Sequence, residues 1–108
     1  MGIAITKSDS ADTKSQFLDI APSRIFSGYW LAGAKELGLE LVPMFPCLFL
    51  QQEDVPQLKE ELDTLEAWAN QRAIGDDHLQ YSSMVQRIKG LRVFLSEIDW
   101  DREEVSIG

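Results

Sequence analysis

Between Val55 and Ala69 the apolar residues Val55, Leu58, Leu62, Leu65 and Ala69 recur at steps of three and four, the spacing of one helix face. Asp54 precedes this run as a cap, Pro56 suits the first turn, and Gln57 completes a capping-box spacing with Asp54. The pattern returns at Tyr81, Met84, Ile88, Leu91, Leu95 and Ile98, and Val85 and Phe94 widen it to the breadth of a core-facing stripe. Asp77 and Gln80 repeat the capping grammar before it. Two amphipathic helices joined by a short connection through Gly75 are expected to pack as an antiparallel hairpin. Ahead of them, Ser23–Gly38 predicts a first helix, with Phe26, Trp30, Gly33, Ala34 and Leu37 on one stripe and Gly38 as its stop. Gly28 and Gly33 cost that helix about 1 kcal/mol each relative to Ala, but small residues on a stripe also permit close approach.

The remaining segments follow other rules. Leu39–Gln52 is apolar and cut by Pro43 and Pro46, which predicts an extended connection with one short buried strand near Leu48–Leu50. Thr6–Gln16 is polar and serine-rich, and reads as a surface loop. Ile3–Ile5 and Glu104–Ile107 alternate as strands do, and pairing them would bury both termini. The expected fold is therefore mainly α, with α+β as the alternative: a three-helix core, a C-terminal antiparallel helix hairpin and short terminal strands.

The 108 residues suffice for one domain spanning 1–108. The longest apolar run, Leu41–Leu50, is interrupted by two prolines and falls far short of the roughly 20 residues a spanning helix needs. The N-terminus lacks the layout of a signal peptide. Gly2 and Thr6 fit the loose N-myristoylation pattern, but the strand reading of the same residues is preferred. A single cysteine, Cys47, excludes an internal disulfide, fits a reducing compartment and favours a cytoplasmic location. The net charge of −8 is uneven. Residues 1–50 carry four basic and five acidic side chains, and residues 51–108 carry six basic and thirteen acidic. Such a surface repels nucleic acid and anionic membrane and favours basic proteins.

Signals for chemistry are sparse. Asp99, Asp101 and Glu103 imitate the first ligands of a calcium loop, but position 6 is Glu104 rather than Gly, and position 12 falls past Gly108. One His and one Cys make no structural zinc set, so no metal and no cofactor is expected. Cys47, within the apolar MFPCLFL, is expected to be buried and inert, and His78 to be a surface residue of the third helix. No phosphate loop, dinucleotide fingerprint or nucleophile elbow occurs, so the chain is not read as an enzyme. Trp30 and Trp68 fall on or beside helical stripes and belong to the core. Trp100, flanked by Asp99 and Asp101, either closes the core or anchors a partner. Glu97, Asp99 and Asp101 oppose the macrodipole at a helix C-terminus, so their local cost calls for another reason to keep them.

The stretches LKEELDTLEAWAN and YSSMVQRIKGLRVFLSEI with the closing EVSIG, across residues 54–108, resemble small acidic bacterial immunity proteins of toxin systems. The resemblance implies a non-enzymatic inhibitor that binds a basic toxin. Charge and aromatic placement nominate Glu60, Glu61 and Glu66 on helix two, and Asp99, Trp100 and Asp101 beyond helix three, as the partner-binding residues, the two groups sharing one edge of the hairpin. The alternative is a structural or regulatory subunit that pairs with a second copy through its helix hairpin, using Tyr29, Leu31 and Phe94.

Overall fold

A computed structural model describes residues 2–9, 15–75 and 78–108. Its fold is α+β, which corrects the expectation of a mainly helical core with short terminal strands. Strands β1 (Gly2–Asp9), β2 (Ser15–Pro22), β3 (Leu48–Leu50) and β4 (Glu103–Ile107) form one antiparallel sheet in the order β2-β1-β4-β3. Much of the expected Thr6–Gln16 loop is thus strand, and residues 10–14 lie outside the described residues. The paired termini hold as expected: β1 aligns antiparallel with β4, and Ala4 and Gly108 exchange backbone hydrogen bonds of 3.1 and 3.0 Å.

Helix α1 runs from Ser23 to Leu37, with a single π-helical stretch, Phe26–Trp30, between α-helical Ser23–Ile25 and Leu31–Leu37. It stops where the sequence placed the stop. Gly38 takes the left-handed conformation, φ 71°, its N–H bonds Lys35, and Leu39 N–H reaches back to Ala34. This paired arrangement satisfies carbonyls that the helix end would leave open. Gly33 lets α1 approach helix α2 (Val55–Arg72) closely, since a Cβ there would lie 2.8 Å from both Leu65 and Trp68. Val42–Cys47 coils as a 3₁₀ turn rather than the expected extended connection. At three residues per turn, Val42 and Phe45 share the buried side while Met44 and Cys47 share the exposed one.

The hairpin of α2 and α3 (His78–Ser96) is antiparallel: Arg92 pairs with Asp63 and Glu66 near one end, and Trp68 meets Tyr81 edge-on near the other. Leu62, Leu65, Ile88, Leu91 and Leu95 are buried along it, as the periodicity required. The predicted Asp54–Gln57 box is replaced by a box one turn earlier, in which Gln51 and Asp54 cap a 3₁₀ turn, Gln52–Asp54, that leads into α2. The Asp77 cap proposed for the third helix lies outside the described residues. The helices cover one face of the sheet, where Ile3, Ile5, Val105 and Ile107 are buried together with Phe26, Trp30 and Phe45, whose rings lie 6.0 to 6.4 Å apart. No helix among the described residues is long and apolar enough to cross a membrane.

Candidate functional site

The acidic stretch that follows α3 is built on an inward-facing lysine. Along β1 the buried positions alternate as Ile3, Ile5 and Lys7, so the third inward side chain carries a charge and is only 7% exposed. Its ammonium donates to the Glu97 carbonyl at 3.2 Å, lies 3.9 Å from the Glu103 carboxylate, and sits 5.3 Å from the centre of the Phe94 ring. One cation thereby ties β1 to the end of α3 and the start of β4. The turn between them is closed by its own acids. Asp99 accepts the Asp101 N–H on its side chain, and its carbonyl accepts the N–H groups of Arg102 and Glu103. Glu103 returns the contact, its carboxylate accepting the Asp99 N–H at 2.8 Å.

Two of the acids that oppose the helix dipole, or lie just beyond it, thus have a structural reason to be there. Asp99 and Glu103 satisfy backbone donors in a tight turn, the local habit of such side chains. Glu97, Asp101 and Glu104 are different. They are exposed, and among the described residues none has an ion-pair partner. The neighbouring Arg102 is directed instead to Asp9, at 3.6 Å. Trp100 is half-buried and packs against the core, so its ring anchors the turn from below and presents only part of its surface.

The nominated residues are not all free to meet a partner. Glu61 is buried, 6% exposed, and its carboxylate accepts Leu41 N–H at 3.0 and 3.1 Å, Val42 N–H at 3.1 Å and the Gln57 side-chain amide at 3.0 Å. It fastens the chain leaving α1 to α2 and is not available to a partner. Glu66 is half-buried and bound to Arg92. Glu60 is exposed and lines, with Glu40 and Gln57, a recess of about 230 Å³ to which no residue of the Asp99–Glu104 turn belongs. Asp99, Trp100 and Asp101 lie in one ordered turn, flanked by the exposed Glu97 and Glu104. Sequence reasoning missed Lys7 and its role, although the alternation of Ile3 and Ile5 pointed inward at position 7.

Other expectations also change. Cys47 is exposed rather than buried, and lines a shallow recess with Thr6, Phe49 and Ser106 to which His78 does not belong. The His78 ring instead lies 3.3 Å from the Gly75 carbonyl through Nδ1. Trp68 is buried as expected, but its indole N–H donates to Glu36, which also pairs with Arg72 at 3.0 Å while the Arg72 guanidinium lies over the Trp68 ring. Tyr29, Leu31 and Phe94, the residues nominated for self-association, are partly buried against the core. Among the described residues, no three of the His, Cys, Asp and Glu side chains converge closely enough to hold a metal ion. Comparison with known protein families, curated proteins and solved structures gives no match.

Proposed function

We propose that this chain is a non-enzymatic protein-binding domain that docks a basic partner on its acidic end, in the manner of an immunity-type inhibitor of a basic toxin. The observation that carries the reading is the turn from Glu97 to Glu104. Three exposed carboxylates without a cation among the described residues, Glu97, Asp101 and Glu104, are held there by Lys7, by the reciprocal Asp99–Glu103 hydrogen bonds and by the half-buried Trp100. An acidic loop ordered before binding loses little freedom when a partner arrives. Exposed, like-signed charge accelerates encounter with an oppositely charged surface, and the net charge of −8 adds to that field.

The test is partner capture with two charge-reversed variants in parallel. Glu97→Lys/Asp101→Lys/Glu104→Lys should lose the captured protein, while Glu40→Lys/Glu60→Lys, with acids on the separate recess, should retain it. Equal capture by all three proteins would place the docking surface elsewhere, and a captured partner that is itself acidic would end the electrostatic reading.

A further inference from the structure

Two backbone irregularities border the same cleft. The pairing of β1 with β2 passes from Ile3↔Ala21 to Ala4↔Asp19, which leaves Ile20 as the extra residue of a β-bulge. A few residues on, α1 widens into its π-helical stretch at Phe26–Trp30. Both features give up regular hydrogen bonding, and each is found preferentially where a fold re-aims side chains for function. The recess between them holds about 240 Å³. Ile20, Ala21 and Pro22 form one wall, Ile25 and Trp30 flank the π-helical turn, and Gln80, Ser83, Met84 and Arg87 of α3 complete it. Those four α3 positions, at spacings of three, one and three, lie on one side of the helix.

Among the described residues, Arg87 is the only charged side chain of this recess. Its one hydrogen bond is from Nη1 to the Asp19 carbonyl at 3.3 Å, and no carboxylate pairs with it among the described residues. A guanidinium has five N–H donors in a planar fork that matches a carboxylate, so most of that fork is uncommitted. Ala21, Pro22 and Arg87 also line a second recess of about 350 Å³, together with Gly2 and Asp19. Among the described residues Asp19 is the only acid there, and its charge opposes a dianion more strongly than a monoanion. A small cavity of mixed apolar and polar lining, with one convergent cation and two neutral polar groups, Gln80 and Ser83, can orient a small ligand with a polar head.

We infer that the cleft between the bulge in β2, the π-helical turn of α1 and Arg87 binds a small monocarboxylate whose apolar body lies against Pro22 and Ile25, the accessible apolar residues of its lining. The site shares no residue with the acidic turn, so it stands or falls independently of the partner-binding reading. The experiment is a ¹⁵N-¹H NMR titration of the full chain with 3-phenylpropanoate and octanoate, against 3-phenylpropanamide and phenyl phosphate. The carboxylates should give saturable shifts confined to residues 20–30 and 80–87. The amide should bind at least tenfold more weakly, because it lacks the charge that strengthens a hydrogen bond to Arg87, and the dianionic phosphate should also bind more weakly. Arg87→Gln should reproduce the loss, and Ser83→Trp, at an exposed position on the rim, should block the site. Absence of saturable shifts with both carboxylates, shifts centred elsewhere, or equal affinity for acid and amide would overturn the assignment. The acid–amide comparison uses the unaltered protein and decides the matter even if a variant fails to fold.

Discussion

Replacing Glu61 tests how a surface-like residue came to hold the fold together. In Glu61→Ala, the N–H groups of Leu41 and Val42 lose their acceptor, as does the Gln57 amide. Gln57 is exposed and finds water. Val42 is fully buried, so its donor is left without a partner in apolar surroundings, and Leu41 is half-buried. An orphaned buried donor costs about 1–3 kcal/mol. One full and one partial penalty, with the lost side-chain packing, give about 2–5 kcal/mol, a large share of the 5–15 kcal/mol typical of a domain. Glu61→Gln keeps one acceptor oxygen for Leu41 and Val42 but loses the charge and the oxygen that accepts the Gln57 amide, so it should cost about 1–2 kcal/mol. Urea unfolding followed by fluorescence and circular dichroism measures both, with the shift in midpoint read at constant slope. If Glu61→Ala were within about 0.5 kcal/mol of the parent, the range of ordinary surface substitutions, the reasoning would be refuted. So would equal losses for Ala and Gln, since acceptor geometry would then not matter.

Lys7→Met removes the cation shared by Glu97, Glu103 and Phe94 and should cost about 2 kcal/mol, less than a fully buried pair because Glu103 keeps its bond to Asp99; loss of amide-exchange protection should centre on residues 97–103. Gly33→Ala should destabilise by about 1–2 kcal/mol despite its better helix propensity, because the new methyl meets Leu65 and Trp68, whereas Gly28→Ala, which meets nothing, should stabilise by about 0.5–1 kcal/mol; thermal melts compare the two. Native Cys47 should titrate with one equivalent of Ellman's reagent without denaturant, and a thiol reactive only after unfolding would contradict its exposed position.

The helices were legible because their stripes are long and regular: five apolar positions from Val55 to Ala69 and six from Tyr81 to Ile98 admit only one period. Strand β2 was not. Its bulge at Ile20 puts Ile20 and Ala21 both inside, so the alternation that announces a strand is broken in the middle. The two buried charges were misread for a common reason. Glu61 is three residues after Leu58 and four before Leu65, on the inward side of α2, and Lys7 continues the inward series of Ile3 and Ile5. Spacing placed both correctly, while chemistry argued for the surface, and chemistry prevailed in the reading. Their burial became affordable through partners distant in sequence, Leu41 and Val42 for Glu61, Glu97 and Glu103 for Lys7, which no local pattern discloses. Cys47 was misplaced because its apolar neighbours argued for burial; coiled at three residues per turn, the segment buries Val42 and Phe45 and turns Met44 and Cys47 outward. At the acidic end, the sequence singled out Asp99, Trp100 and Asp101, but only the fold separates the acids that close the turn from those left exposed.

The central claim is that Glu97, Asp101 and Glu104 attract a basic partner. The most direct measurement is the association rate of that captured partner as ionic strength rises from 0.01 to 1 M, over which the screening length falls from about 30 Å to about 3 Å. The account predicts a steep fall in association rate with a much smaller change in dissociation rate, and a shallower dependence for the Glu97→Lys/Asp101→Lys/Glu104→Lys protein. An association rate that stays flat across that range, or a salt dependence identical in the variant, would contradict it.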